Sequence, residues 1–266
     1  IDKPFGDPIK AFAALKAGDI LYVRGGTYHL SQTIKVNQTG TADKRICVFA
    51  YPGDTERPVF DFSGQPRSTS TEAASYRGVM HNIGANYWHY RGLDFCHAAD
   101  NGMKLEGSYC VVELCRFYGN EDTGLQQGFG KDSKGNNTRN TEFKYGRNNI
   151  IVNCDAYDNN DPWTHGGNAD GFAIKLYPGP GNEFHGCRAW HNSDDGWDLY
   201  YTVFPIVVDN CWVLNNGLDK GNANGFKMGG CKQGGTSTGA HVFKNCIAAF
   251  NAKKGFDQNH HREGLT

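Results

Sequence analysis

The sequence predicts an all-β protein, a right-handed parallel β-helix in which the chain winds into stacked coils of short strands. Three observations predict it. A motif recurs in which Cys is followed five residues later by Asn and, after a variable loop, by Gly and usually an apolar residue. Successive cysteines of the motif are 19, 39, 33, 24 and 35 residues apart, which is typical of repeats with loops of different length. Residues around the motif alternate with a period of two, which indicates strands.

The N-terminal segment is expected to close one end of this stack. Residues 8–16 form a short amphipathic pattern that ends at Gly18, so they predict a helix that covers the open strand edges. Strand-like runs separated by Gly and Pro follow it at residues 19–24, 26–30, 46–51 and 58–62. We expect a single β-helix domain over residues 1–266, with residues 1–18 as its cap region, a long polar insertion at 126–147, and further coils beyond the C-terminal residue.

The motif itself has two recurring side chains with structural roles. We expect the Asn to stack on its equivalents at an inward turn and form an asparagine ladder, in which each amide satisfies neighbouring backbone groups. The Cys is predicted to be a small core residue, because no Cys-x-x-Cys zinc pattern occurs. Cys47, Cys110 and Cys231 lie outside the series and could be free or paired. The motif pairs are Cys96 with Asn101, Cys115 with Asn120, Cys154 with Asn159, Cys187 with Asn192, Cys211 with Asn216, and Cys246 with Asn251.

Composition excludes several classes of protein. The 266 residues carry 27 basic and 28 acidic side chains, a net charge of −1, which argues against a surface built for nucleic acid. No apolar stretch approaches the ~18 residues that cross a membrane. The chain begins at Ile1 without a signal pattern, so we expect a mature or trimmed chain. We also expect a monomer.

Stacking of the repeats predicts a cluster of carboxylates. Asp170 and Asp195 each precede the repeat Gly and should lie side by side, with Asp194 and Asp198 in the same coil as Asp195. Four carboxylates this close repel one another, and a hard cation such as Ca²⁺ would relieve the repulsion. We expect the cluster on the outside of the coils. The alternative is a set of solvated turn residues, since Asp-Asp-Gly is also ordinary turn chemistry.

Two lysines are candidates for chemistry beside this cluster. Lys227 should occupy the position of Asp198 one coil further, where it serves either as a catalytic base or as a counter-charge. Calcium and the apolar neighbours Phe226 and Met228 are expected to lower the pKa of Lys227. Lys175 is either a group that binds an acidic substrate or an ordinary surface lysine.

Three segments together resemble polysaccharide lyase family nine, the Pel9-type pectate lyases: NADGFAIKL (168–176), NSDDGWDL (192–199) and GNANGFKMGG (221–230). Segments YWHYRGL (87–93) and GFDQN (255–259) are also similar, and the resemblance covers most of the chain from residue 18. It implies a right-handed parallel β-helix with an asparagine ladder. It further implies calcium on Asp170, Asp194, Asp195 and Asp198, and Lys227 as the base.

The expected function is therefore a secreted, calcium-dependent, endo-acting pectate lyase that cleaves α-1,4-polygalacturonate by β-elimination to 4,5-unsaturated oligogalacturonides. Three alternatives remain open. One is another β-helix uronate lyase or epimerase acting on alginate or a glycosaminoglycan. A second is a galacturonan hydrolase with a carboxylate pair and no metal. The third is a non-catalytic, calcium-dependent glycan-binding β-helix.

Overall fold

The computed structural model describes residues 4–67, 76–129, 140, 142–230 and 239–261. In these residues the chain forms one helix, α1 (Pro8–Ala14), followed by 24 short strands. The strands come in groups of three, and each group makes one coil. None of the described helical residues forms a segment long and apolar enough to span a bilayer.

The strands are numbered along the chain. Coils one to four contain β1 (Ile20–Val23), β2 (Gly26–His29), β3 (Ile34–Val36), β4 (Ile46–Ala50), β5 (Pro58–Asp61), β6 (Val79–His81), β7 (Trp88–Arg91), β8 (Asp94–Cys96), β9 (Met103–Leu105), β10 (Val111–Glu113), β11 (Arg116–Tyr118) and β12 (Leu125–Gln127). Coils five to eight contain β13 (Ile150–Val152), β14 (Asp155–Tyr157), β15 (Phe172–Ile174), β16 (Asn182–His185), β17 (Arg188–Trp190), β18 (Trp197–Asp198), β19 (Ile206–Asp209), β20 (Trp212–Leu214), β21 (Phe226–Lys227), β22 (Val242–Lys244), β23 (Ile247–Ala249) and β24 (Phe256–Asp257).

Equivalent strands of successive coils pair in parallel and form three eight-stranded sheets. Sheet A collects the first strand of every coil, sheet B the second and sheet C the third. In sheet C, for example, Phe172 lies opposite Trp197, which lies opposite Phe226. Three sheets around one axis, with each strand of coils two to seven bonded to the coils before and after it, confirm the predicted parallel β-helix.

Stacked apolar side chains fill the interior of the coils. The rings of Phe60, Phe95 and Phe117 lie on three successive coils with centroid spacings of 5.4 Å, close to parallel. Helix α1 closes the N-terminal end of this column, because Phe12 stacks on Trp88 and meets Phe60 edge-on. The predicted capping helix is confirmed, although it ends at Ala14 rather than at residue 16.

The asparagine ladder is also present. The side-chain amide of Asn120 donates to Asn159 Oδ1 at 2.8 Å, and Asn159 donates to Asn192 Oδ1 at 2.8 Å. The series continues from Asn192 to Asn216 at 3.0 Å and from Asn216 to Asn251 at 2.9 Å. The first four of these asparagines are buried, so the ladder satisfies turn groups that water does not reach.

The first motif pair of the sequence analysis was aligned wrongly. Strand β8 pairs with β11 so that Cys96 lies opposite Tyr118, not opposite a cysteine. The backbone amide of Ala98, rather than that of Asn101, donates to the ladder oxygen of Asn120 at 3.0 Å. The predicted alignment of this coil was therefore shifted by three residues. The shift arose because Ala98 occupies the ladder position in this coil, where the following coils have Asn.

The cysteines of the described residues are free thiols, including Cys47 and Cys110, whose state the sequence left open. Cys115, Cys154, Cys187 and Cys211 lie in the core at the turn between sheets A and B; the backbone amide of Cys115, for instance, donates to Cys154 Sγ at 3.4 Å. Their predicted role as small core residues is confirmed, and Cys246 is half-buried against the same core. The prediction is wrong for Cys96, which lies opposite Asp61 at an outward position of β8 and outside the core. Cys231 lies outside the described residues, as does half of the polar insertion expected at 126–147.

Candidate active site

The site lies on the outward face of sheet C, where one position repeats from coil to coil. Asp198 on β18 lies opposite Lys227 on β21. This confirms that the two side chains are neighbours along the stack, as the repeat predicted. The complete row, in order, is Lys35, Met80, Lys104, Gln126, Ala173, Asp198, Lys227 and Asp257.

A second row, just before the repeat glycines, supplies the carboxylates. The backbone amide of Asp195 donates to Asp170 Oδ1 at 3.2 Å, so these two residues of neighbouring coils are in direct contact. Asp170, Asp194 and Asp195 each place one carboxylate oxygen within 4.8 Å of the others. Asp198 is outside this group of three and faces the lysines instead.

The turns hold these carboxylates with backbone amides from neighbouring coils. Asp194 accepts hydrogen bonds from the amides of Asn168, at 3.0 Å, and Asn222. Asp195 Oδ1 accepts two from Asn224, at 2.8 Å from the backbone and 2.9 Å from the side chain. Sequence reasoning did not assign roles to these asparagines. Asn224 was detectable, because it occupies the position of Asp170 and Asp195 in the next coil.

Glycine at the start of β15 allows this close stacking. A Cβ on Gly171 would lie 2.6 Å from the Cβ of Ala189 and 2.9 Å from Nδ2 of the ladder residue Asn192. Any side chain would therefore push Asp170 away from the coil of Asp195. The lack of a side chain at Gly171 therefore lets the ladder residue Asn192 and the carboxylates of Asp170 and Asp195 lie close together.

The cluster is covered, which rules out the interpretation as solvated turn residues. Asp170 and Asp195 are 0% exposed and Asp194 is 3% exposed. Burial, reinforced by Asp194, raises the pKa of Asp195 to about 7. Burial likewise raises the pKa of Asp170, despite the opposing effect of Lys175. The carboxylates face away from the core, as expected, but they do not lie at the surface.

The donor set fits a hard cation. Among the described residues, no hydrogen bond reaches the buried Asp195 Oδ2, although the ammonium of Lys227 lies 3.2 Å from it. Three converging carboxylates with an oxygen that accepts no hydrogen bond match the all-oxygen ligands that Ca²⁺ prefers.

Two buried lysines complete the cluster. Lys175 Nζ lies 2.7 Å from Asp170 Oδ2 and 3.2 Å from Asp198 Oδ2. Lys227 Nζ lies 3.2 Å from Asp195 Oδ2 and 3.4 Å from Asp198 Oδ1. Asp198 therefore bridges both ammonium groups. Lys175 is only 8% exposed, so the interpretation as an ordinary surface lysine is wrong.

The side chains around Lys227 do not by themselves produce the expected lowering of its pKa. Burial acts to lower this pKa, but the carboxylates of Asp198 and Asp195 outweigh it and the net shift is upward. Phe226 contributes nothing at the ammonium, because its ring is buried in the core against Trp197, with 5.1 Å between centroids. The aromatic ring near the ammonium is Tyr200, whose centroid lies 5.7 Å from Nζ.

Fold and site together define a parallel β-helix protein with a carboxylate and lysine cluster on one outer sheet face. The chain belongs to the family described as "Pel9A-like, right handed beta helix region", whose model matches residues 1–266. This membership confirms the resemblance found in the sequence and the right-handed sense of the coil.

Individual relatives agree with this membership. Pectate lyase L of Dickeya dadantii is 36% identical over 269 residues, which are 96% of this chain and 57% of that protein. The crystal structure of pectate lyase Pel9A matches with a TM-score of 0.79 and 34% identity, over 95% of this chain and 60% of that one. A rhamnogalacturonan lyase matches with a TM-score of 0.80 and 26% identity, over 98% and 67%. The chain spans between 20% and 66% of the length of the curated relatives that it matches.

Proposed function

We propose that this protein is a secreted, calcium-dependent pectate lyase that cleaves α-1,4-polygalacturonate by β-elimination and leaves 4,5-unsaturated oligogalacturonides. The observation that carries the proposal is the cluster itself, a buried group of carboxylates with two lysines on the outward face of sheet C. Membership of a family whose relatives are named pectate lyases supports the substrate class. Secretion follows from the size of a pectin polymer, which cannot enter a cell.

Asp170, Asp194 and Asp195 would hold the calcium ion, with Asp198 as a fourth ligand. The first three already converge, whereas Asp198 Oδ1 would exchange its contact with the Lys227 ammonium for the ion. When bound, calcium would neutralise the substrate carboxylate and acidify the neighbouring C5 proton.

Lys227 is the proposed base. Its Nζ lies on the outward face of the sheet within reach of the carboxylates, so it can stand beside a sugar held at the cluster. The neutral amine takes the C5 proton, and the C5–H electron pair forms the C4–C5 double bond. The C4–O bond breaks, and its electron pair leaves with the oxygen, which takes up a proton. This role requires that the carboxylates which now raise the pKa of Lys227 be neutralised.

Lys175 is the proposed substrate-binding residue. Its ammonium is the second cation of the cluster and is shared between Asp170 and Asp198. When Asp170 and Asp198 bind the calcium ion, the Lys175 ammonium would become available for the carboxylate of a galacturonate unit. We therefore assign it to binding rather than to proton transfer.

The test is incubation with polygalacturonate, with and without a chelator, while the ultraviolet absorbance of the unsaturated product is followed. We expect product that disappears with chelator and returns with added calcium. Lys244→Ala is the matched control for lysine substitutions at the cluster and should form product as the wild type does. Lys244 pairs with a carboxylate, Asp209, on sheet A away from the cluster. Reducing ends without ultraviolet absorbance would indicate a hydrolase, and binding without turnover would indicate a glycan-binding protein.

The same assay with other polymers tests the substrate. The similarity to a rhamnogalacturonan lyase makes the rhamnogalacturonan backbone the most informative competitor, followed by alginate and a glycosaminoglycan. We expect the highest kcat/KM on polygalacturonate. A higher value on one of the others would reassign the substrate and leave the elimination chemistry in place.

A further inference from the structure

A second group of metal-binding side chains lies on sheet B, at the N-terminal end of the β-helix. His29, Asp61 and Cys96 occupy the same outward position on strands β2, β5 and β8 of three consecutive coils. His97 follows Cys96 directly, in a left-handed conformation with φ of 56°. None of these residues belongs to the carboxylate cluster on sheet C.

The side chains of His29, Cys96 and His97 converge on the carboxylate of Asp61. His97 Nδ1 lies 3.0 Å from Asp61 Oδ1, and His29 Nδ1 lies 3.1 Å from Asp61 Oδ2. One ligand atom each from Asp61, Cys96 and His97 lies within 4.8 Å of the others. An imidazole nitrogen, a carboxylate oxygen and a thiol sulfur thus face a common point.

We propose that Asp61, Cys96 and His97 form a binding site for Zn²⁺, distinct from the candidate active site. Zinc takes nitrogen, oxygen and sulfur ligands at about 2.0–2.3 Å, usually with tetrahedral geometry. Tetrahedral ligands at such bond lengths lie about 3.3–3.7 Å apart. The observed separation of 3.0 Å between His97 Nδ1 and Asp61 Oδ1 is close to that range, so small side-chain movements suffice.

The surroundings suit a site that accepts an ion from solution. Cys96 is 1% exposed, whereas the His97 side chain is 48% exposed, so the sulfur forms the floor and the imidazole the open side. His29 bonds the other oxygen of Asp61 and would orient that carboxylate as an outer partner. Water would take the fourth position. The donor set favours zinc over calcium, because calcium prefers oxygen ligands alone.

Gly119 makes room for this arrangement. A Cβ at Gly119 would lie 2.8 Å from the ring of His97, so a side chain there would displace the imidazole. Arg67 fixes the other end of the turn, since its guanidinium donates to the His97 carbonyl oxygen at 2.7 Å. The imidazole is therefore held beside Asp61 before any ion arrives.

The test uses cobalt as a spectroscopic probe and zinc as its competitor. Protein stripped with chelator, kept reduced and held in excess calcium is titrated with CoCl₂. We expect a thiolate-to-cobalt band in the near ultraviolet and tetrahedral bands in the visible, all abolished by one equivalent of ZnCl₂. Excess calcium competes with cobalt for the sheet C carboxylates, and cobalt bound there would give no thiolate band, so failure of this site and failure of the proposed lyase function remain separate results.

Two site variants, His97→Gln and Cys96→Ser, and one control variant test the assignment. His97→Gln is expected to weaken zinc binding more than about tenfold. His185→Gln is the matched control and should bind as the wild type does, because His185 pairs with Glu183 at 2.9 Å and belongs to neither group of converging metal-binding side chains among the described residues. Wild-type zinc affinity in His97→Gln, or cobalt spectra without a thiolate band, would overturn the proposal. Cys96→Ser should remove that band, and His97→Gln carries the test if the serine variant fails to fold.

Discussion

Lys175 and Lys227 are both buried beside the carboxylate cluster, and they differ in which carboxylates they contact. Both ammonium groups contact Asp198, but Lys175 adds Asp170 whereas Lys227 adds Asp195. Only Lys227 lies in the outward row of sheet C; Lys175 follows the end of β15 and reaches back to the cluster. The row position is the reason to assign proton transfer to Lys227.

The first prediction separates the two lysines kinetically. Lys227→Ala should lose several orders of magnitude in kcat while retaining calcium and substrate binding, since the base acts only in the chemical step. Lys175→Ala should instead raise KM more than it lowers kcat. Steady-state kinetics on polygalacturonate measure both. Near-normal turnover in Lys227→Ala, or loss of turnover in Lys175→Ala alone, would show that the base is misassigned.

The second prediction concerns a buried histidine outside the site. His81, on β6, is 0% exposed and bonds the Tyr90 hydroxyl and the Ala85 carbonyl oxygen. Burial lowers its pKa from 6.5 to about 4. As pH falls, His81 therefore takes up a proton in the unfolded chain before it does so in the folded chain. Stability from neutral His81 is complete above about pH 6.5 and decreases toward pH 4, by at most about 3 kcal/mol.

Chemical denaturation at several pH values between 4 and 7 measures this effect. His81→Gln should flatten the fall of the unfolding free energy with acid, even if it lowers stability at neutral pH. Equal slopes in wild type and His81→Gln would show that His81 does not titrate on unfolding.

Neighbour relations at the site were predictable from the sequence, but contacts were not. The repeat glycines place Asp170 beside Asp195 and Asp198 beside Lys227 because a stacked coil preserves position. The repeat determines the backbone position of a lysine but not the direction in which its long side chain points. The ion pairs of Lys175 with Asp170 and Asp198 depend on that direction, as does the closure of the cluster from solvent.

At the scale of elements, the turns carry the stabilising polar contacts. The ladder from Asn120 to Asn251 was predictable because one residue type recurs at one spacing. A shorter series precedes sheet A, where the amide of Cys110 donates to Asn149 Oδ1 at 2.8 Å and that of Asn149 donates to Asn182 Oδ1 at 3.0 Å. It escaped sequence analysis because it has too few members to appear as a repeat.

The third prediction tests the ladder. Asn192→Ala should lower the free energy of unfolding by about 1–3 kcal/mol, because the backbone and side-chain amides of Asn159 lose their acceptor and the Ala156 carbonyl loses a donor, and water cannot replace them in the buried turn. Activity per folded molecule should change little. Asn245→Ala is the control, since Asn245 is an exposed turn residue that bonds only Asp209 among the described side chains. Melting curves that coincide for wild type and Asn192→Ala would contradict the ladder's role.

At the scale of the whole molecule, the site is a property of the stack. Asp170 belongs to coil five, Asp194, Asp195 and Asp198 to coil six, and Lys227 to coil seven. No single coil contains it. A ligand that bridges Asp170 and Asp195 therefore holds two coils together, so binding and stability are linked.

The fourth prediction follows from this linkage. Calcium at a hundredfold excess over its Kd should stabilise the folded chain by about 2.7 kcal/mol, seen as a higher melting temperature that chelator reverses. Asp195→Asn should remove the increase while leaving the β-helix folded, as judged by circular dichroism. Asp209→Asn, which alters a carboxylate on sheet A, should keep it. A calcium-dependent shift that survives in Asp195→Asn would place the ion elsewhere.

The direction of the hydrogen bonds gives the molecule an unusual response to tension. Strands run around the axis and their backbone bonds run along it, so a force that separates the two ends of the stack loads the coils in series. The coils should then peel off one after another instead of yielding together. Ladder residues 24 and 33 apart along the chain mark coils that would release about 80 and 110 Å of extended chain. A force–extension trace would thus show steps of unequal length, because each step reports the number of residues in the coil that is released.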